Sequence, residues 1–195
     1  LFATHQHEAA AKAYNKLIDK APYNASYWMG LAKIHFIEEN VDKAIEACDF
    51  ALAANENCGD AYAYKAHSFF YLNNADEAIE NYQKAIAYKS IPPELGNMFM
   101  GLSYANKEEW QKADEYYTKV IDCFEKEGES DSILLIDTYT SKAYAISHLE
   151  RYEEAHQLCD KAKKLGPNEG LSYLTDGKIY LAEEKEDQAA EAFKK

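Results

Sequence analysis

The sequence predicts an all-α fold, an α-solenoid of stacked antiparallel helix hairpins. Three observations predict it. The first is composition. Alanine is abundant, valine occurs only as Val41 and Val120, and the 195 residues hold 8 Gly and 4 Pro. Alanine loses no side-chain entropy in a helix, whereas strands favour β-branched residues. The second is a pair of small-residue series in one phase. Ala10, Ala44, Ala78, Ala113, Ala155 and Ala189 are each followed four residues later by an aromatic or Cys: Tyr14, Cys48, Tyr82, Tyr117, Cys159 and Phe193. Their steps are 34, 34, 35, 42 and 34 residues. Ala32, Ala66, Gly101, Ala143 and Gly177 step by 34, 35, 42 and 34, with the same long step. The third is a recurring polar turn: Asn40, Asn73 with Asn74, Asn106, and Glu184 to Asp187.

Each unit is therefore a hairpin of two helices. Small residues let two helix backbones approach, and large neighbours fill the groove beside them. Asn suits both helix caps and the left-handed turn conformation. Asn24 and Asn168 are expected as N-caps, and Pro22 and Pro167 fall between units, where they break no helix interior. The pattern predicts helices at 5–20, 25–38 with 41–54, 59–72 with 75–88, 94–106 with 109–127, 132–148 with 151–164, and 169–182 with 185–195. Leu1 to Thr4 are expected as the tail of a preceding helix.

The organisation expected is a single array of about five repeats with truncated ends. Its segments are 1–24 (partial), 25–58, 59–93, 94–135 (with an insertion), 136–169 and 170–195 (partial). The long step places the insertion around Phe124 to Ser132, in EKEGESDS, where Gly128 and the Ser/Asp cluster mark a polar loop. The preceding helix is expected to be longer by a turn or more. The loop reads either as functional or as a tolerated surface insertion. Truncated arrays expose apolar faces that capping units normally cover, so the intact protein is expected to be longer, or the ends to self-associate.

Charge narrows the partners. Lys and Arg number 21 against 34 Asp and Glu, a net −13. Nucleic-acid binding needs a basic face to neutralise phosphate, and anionic lipid repels an acidic surface. No apolar run reaches the roughly 18–20 residues of a membrane span, so no membrane insertion is expected. Cys48, Cys58, Cys123 and Cys159 form no C-x-x-C pair, so the usual zinc or redox spacing is missing. Cys48 and Cys159 fall on apolar helix faces, as free thiols do. A reducing, cytoplasmic setting is the expectation, with an upstream targeting signal left open.

No catalytic constellation emerges. The phosphate-cradling Gly loops, the G-x-S-x-G elbow and H-E-x-x-H are absent from the sequence. His5, His7 and Glu8 are close in sequence but read best as a solvated helix turn. Glu153 and His156 have the i, i+3 spacing of a di-iron half-site, yet no second Glu-x-x-His accompanies them. The expectation is no enzyme, no metal and no cofactor.

The units resemble the tetratricopeptide repeat, W-x2-L-G-x2-Y then A-x3-F then P at a 34-residue period. Trp28, Leu31, Ala32 and His35 open one unit, closed by Ala44 and Cys48. Tyr62, Ala66, Phe69, Ala78 and Tyr82 form the next. Met100, Gly101, Tyr104, Ala113 and Tyr117 follow, then Tyr139, Ala143, Ile146, Ala155, Cys159 and Pro167, then Tyr173, Gly177, Tyr180, Ala189 and Phe193. Lys65, Lys142 and Asp176 stand where the pattern wants Leu, Asn97 where it wants an aromatic, and Glu56 replaces a proline.

The resemblance implies a right-handed superhelix whose concave groove, lined by the first helix of each unit, binds peptide segments of partner proteins. Projected onto that groove, the first helices offer Met29, Lys33 and Ile37; Ala63, His67 and Tyr71; Met98, Leu102 and Asn106; Thr140, Tyr144 and His148; Leu174 and Lys178. For Met29, Met98 and Leu102, groove and inter-helix packing are equally compatible with the spacing. Some members clamp a C-terminal carboxylate pair with groove cations, but Lys33 is nearly alone on the early units, which disfavours that mode. The function expected is a non-catalytic interaction scaffold. The alternative is a recruitment or regulatory module of a larger enzyme or envelope-assembly protein whose chemistry lies elsewhere.

Overall fold

The computed structural model describes residues 2–127 and 132–195. Among them are eleven helices and no strand: α1 (Phe2–Lys20), α2 (Ala25–Ile37), α3 (Val41–Ala54), α4 (Gly59–Tyr71), α5 (Ala75–Ala87), α6 (Pro93–Asn106), α7 (Trp110–Glu127), α8 (Ser132–Ser147), α9 (Tyr152–Leu165), α10 (Gly170–Ala182) and α11 (Glu186–Ala192). The expected helices are present, with most ends within two residues. Phe2 to Thr4 are a correction. They continue α1 without a break instead of closing an earlier helix. The Gly128 to Asp131 part of the expected loop lies outside the described residues. The long step is taken up partly in helix, since α7 has 18 residues and α8 has 16, against 13 in α5.

The chain forms two compact units, one running to Gly96 and the other starting at Asn97. In the first, α2 packs on α3 and α4 on α5 as hairpins, and α1 and α3 each pack on the hairpin that follows. Its core gathers Ile18, Met29, Leu31, Ala32, Cys48, Ala51 and Ala61. In the second, α8 with α9 and α10 with α11 are the hairpins, joined by α7 on α8 and α9 on α10. Its core includes Ile121, Ile136, Ala143, Ile146, Leu158, Cys159 and Ile179.

The small-residue phase has a direct cause within the hairpins. A Cβ on Gly101 would stand 2.6 Å from Cε1 of Tyr117, and one on Gly177 would stand 2.3 Å from Cε1 of Phe193. Ala32, Ala44, Ala66, Ala78, Ala113, Ala143 and Ala155 are wholly buried. The small residue of one helix is thus the seat for the ring of the other.

The hairpin turns share one backbone device. Glu39, Asn73, Glu108, Glu150 and Glu184 all take φ near +60°. They repeat the 34, 35, 42, 34 spacing. The residue after each donates its N–H five residues back, as Asn40 to His35 at 2.9 Å, Asn74 to Phe69 at 2.8 Å, Glu109 to Tyr104 at 2.9 Å, Arg151 to Ile146 at 3.1 Å and Lys185 to Tyr180 at 2.8 Å. This is the Schellman closure, which satisfies carbonyls a helix end leaves orphaned. Asn24 caps α2, its side chain accepting from Ser26 N at 3.0 Å. Asn168 is a correction, because Glu169 holds the cap position of α10.

The three charged residues at the Leu slot are paired across the seam to the preceding helix. Lys65 on α4 reaches Asp49 on α3 at 2.5 Å. Lys142 on α8 lies 2.9 Å from Asp114 Oδ1 and donates to Thr118 Oγ1 at 2.5 Å, both on α7. Asp176 on α10 accepts from Lys163 and bonds His156, both on α9. Burying an unpaired charge costs several kcal/mol, so each replacement of Leu has come with its partner.

Candidate functional site

The site is built on the first helices of the hairpins, because packing consumes one side of each and leaves the other open. The sequence-predicted positions divide by their place along the helix. Met29 and Met98, whose spacing is equally compatible with groove and packing, are both buried. Met29 belongs to the core that contains Ala61 of α4, and Met98 accepts a hydrogen bond at Sδ from Thr138 Oγ1 of α8 at 3.5 Å. Ala63 and Thr140, at the same slot, are buried too. That slot faces the next first helix, and Met29 and Thr140 reach the depressions only at their floors.

One turn on, the slot opens. Lys33 is half-exposed and lies 3.6 Å from Asp60 across to α4, with its Nζ 5.6 Å from the Tyr64 ring centroid. His67 is half-buried, with Nδ1 and the Tyr82 hydroxyl hydrogen-bonded at 2.7 Å. Burial lowers the pKa of His67 and raises that of Tyr82. His67 is therefore a link within its hairpin. Leu102 is half-buried and Tyr144 is 41% exposed. At the last slot Ile37, Tyr71, Asn106 and His148 are exposed.

Each unit carries a depression. In the first unit it is about 460 Å³ and polar in its rim, lined by Tyr14, Met29, Gly30, Lys33, Asp60, Tyr88 and Lys89 among others. A Cβ on Gly30 would meet Cζ of the Tyr14 ring at 2.2 Å, so any larger residue there displaces that ring. In the second unit it is about 400 Å³, lined by Leu102, Ala105, Asn106, Trp110, Thr140, Ser141, Tyr144, Leu171 and Thr175 among others. An aromatic group stands at its edge. Trp110 stacks on His148 at 4.0 Å between centroids, and Tyr144 meets both edge-on, at 6.0 and 4.8 Å. Lys178 Nζ sits 6.0 Å from the Tyr144 ring centroid.

Trp110 and Leu171 belong to this region and were missed from sequence. Leu171 lies one turn before Leu174, so extending the stripe by one turn finds it. Trp110 opens the second helix of its hairpin, and no first-helix stripe reaches it.

No group of three or more His, Cys, Asp or Glu among the described residues could hold a metal ion. The His5 side chain lies outside the described residues. His156 bonds Asp176 and, through Nε2, Glu183 at 2.7 Å, while Tyr180 stacks on it at 4.0 Å. No described helix is long and apolar enough to cross a membrane.

Tetratricopeptide-repeat family models match residues 1–57 and 59–91. A TPR repeat-containing protein of Methanocaldococcus jannaschii is 28% identical over 188 residues, 94% of this chain and 32% of its own length. Human cilia- and flagella-associated protein 70 is 25% identical over 87% of this chain and 14% of its own length. Subunit 7 of the Dictyostelium discoideum anaphase-promoting complex is 31% identical over 38% of this chain and 13% of its own. The chain thus spans a third or less of these relatives. Among solved structures, YrrB, a TPR protein with an unusual peptide-binding site, superposes with a TM-score of 0.71 at 17% identity, over 94% of this chain and 90% of that one. A tetratricopeptide repeat protein from Parabacteroides merdae gives 0.79 at 14% identity, over 98% and 72%. At such identities these likenesses concern the fold alone, and both folds are the same repeat array. Repeat phase, hairpin turns and matched models agree: residues 1–57 and 59–91 are tetratricopeptide repeats, and the hairpins that follow keep their phase.

Proposed function

We propose that the chain is a non-catalytic protein-interaction scaffold that seats a peptide segment of a partner on the open face of its first helices. One observation carries the reading. In the second unit Tyr144 and Leu171 stay 41% and 48% exposed around a depression of about 400 Å³. Neighbouring slots on the same helices are buried, so the apolar exposure is confined to the open stripe. A groove formed in advance binds a segment with little reorganisation, and Tyr offers large contact area at low entropic cost. Members of the family are generally non-catalytic, and no reaction is assigned to this chain.

The test compares protein capture by the immobilised chain and by a Tyr144→Glu, Leu171→Glu variant, with captured proteins identified by mass spectrometry. Both side chains are half-exposed, so the melting curve should be unchanged. A prey lost with the variant supports the groove. Equal capture by both places the interaction elsewhere and sinks the reading.

A second reading is favoured by coverage. The relatives are at least three times as long as the matched stretch. On that reading the array recruits or regulates a larger protein, and the chemistry lies in other parts of it.

A further inference from the structure

Each slot of a hairpin recurs in the next, so an open side chain can be compared with its counterparts. Leu174 on α10 takes the slot of Met29, Ala63, Met98 and Thr140, which are all buried, yet it is 43% exposed. Phe193 takes the slot of Cys48, Tyr82, Tyr117 and Cys159, which are enclosed, yet it is 46% exposed. Leu181, two turns beyond Leu174 on the same side of α10, is 50% exposed. Elsewhere this side of a hairpin is covered by the next first helix: α4 lies on both α2 and α3, and α10 on both α8 and α9. Leu174, Leu181 and Phe193 are therefore the stacking face of the α10–α11 hairpin, and none of the described helices encloses it.

α1 shows the converse. In the other second helices Ala44, Ala78, Ala113, Ala155 and Ala189 are buried, and so, seven residues on, are Ala51, Ala85, Val120 and Ala162. The counterparts on α1 are Ala10, which is half-buried, and Leu17, which is 38% exposed, with Ala13 exposed between them. This face carries small residues where the α10–α11 face carries large ones. A covering helix that offers a small residue to a ring is already present in the first unit, where Gly30 of α2 lies against the Tyr14 ring.

We propose that α1 of a second copy of the chain lies on the α10–α11 hairpin, in the place a next first helix takes inside each unit. Ala10 and Ala13 seat the Phe193 ring of the neighbouring molecule, and Leu17 packs between Leu174 and Leu181. Ala10 to Leu17 and Leu174 to Leu181 each rise about 10 Å at 1.5 Å per residue, so the two faces match in length. The contact joins two different faces. It is head-to-tail, and each added molecule presents the same free face again, so the assembly grows instead of stopping at a pair. Burial of apolar side chains drives it, and the net charge of −13 on each copy opposes it, so added salt strengthens it. None of these residues lines the depression of the second unit, so the proposal is independent of the peptide-binding reading.

Sedimentation velocity over a dilution series tests this with three proteins: wild type, a head variant Ala13→Glu, Leu17→Glu, and a tail variant Leu174→Glu, Leu181→Glu. Wild type should exceed the mass of one chain, rise further with concentration and rise again with salt. Each variant alone should stay a single chain. An equimolar mixture of the two should form a pair, an intact tail on an intact head, and grow no further. A wild type that stays monomeric throughout overturns the proposal. So does a mixture that forms no pair. Association lost in the tail variant but kept in the head variant would show the hairpin face pairing with itself, and α1 would not be the occupant. The four replaced side chains are exposed, so the melting curves should match wild type. Leu17→Ser, and Leu174→Ser with Leu181→Ser, take the place of any Glu variant whose curve shifts, and the same outcomes decide.

Discussion

Gly101 lies directly beneath the Tyr117 ring: a Cβ there would meet Cε1 at 2.6 Å and Cδ1 at 2.8 Å, and Tyr117 is 1% exposed. The ring is enclosed and cannot swing away. Gly101→Leu should therefore cost about 1–3 kcal/mol by overpacking. Gly177 is equally tight against Phe193, but that ring is 46% exposed. Gly177→Leu should cost distinctly less. Urea unfolding midpoints of the two variants check this. Equal losses would contradict the seat-and-ring account.

Asp114 joins three elements of the second unit. Its Oδ2 accepts from Arg151 Nη1 at 2.5 Å, and Oδ1 faces the Lys142 ammonium at 2.9 Å without hydrogen-bond geometry. Asp114→Leu should cost about 3–5 kcal/mol, because it strands a buried ammonium. Adding Lys142→Leu should recover most of that loss, since the family pattern has Leu in this slot. A double-mutant cycle measures the coupling.

The same group sets an acid limb. Burial would raise the Asp114 pKa, but the charges of Lys142 and Arg151 and the Arg151 hydrogen bond prevail and hold it below its ordinary value of 3.8. A carboxyl depressed in the fold contributes stability that is full above its unfolded pKa and is lost as pH falls through the folded one. Wild type should lose stability below about pH 4 more steeply than the Asp114→Leu, Lys142→Leu variant. Parallel curves in urea titrations from pH 5 to pH 2.5 would rule that out.

Burial pushes the thiols of Cys48 and Cys159 up to about 12. Cys58 and Cys123 are half-buried. The thiolate is the reactive form. Iodoacetamide at pH 8 should label Cys58 and Cys123 in the native chain, and Cys48 and Cys159 only after urea is added. Peptide mass spectrometry reads the order. Native labelling of Cys48 as fast as Cys58 would contradict the packing of α3.

The repeat phase was legible because it is a local rule: a small residue must recur wherever a hairpin seats a ring, as Gly101 seats Tyr117 and Gly177 seats Phe193. Helix ends were legible for the same reason, apart from the α1 start and the α10 cap. The turns were only half legible. Asn73 advertises a left-handed residue, but Glu39, Glu108, Glu150 and Glu184 do not, and there hairpin closure overrides the intrinsic preference. Pairings across the seam were invisible, because Lys142 and Asp114 are 28 residues apart and read as two unrelated charges. Helix periodicity alone could not separate Met29 and Met98 from Tyr144. All three lie on one projected stripe, and only the neighbouring helix decides which slot is covered. Periodic residues thus determined the hairpins and their phase, which depend on contacts within one repeat. Tertiary packing decided which side chains stay open, because that depends on what the next hairpin brings against them.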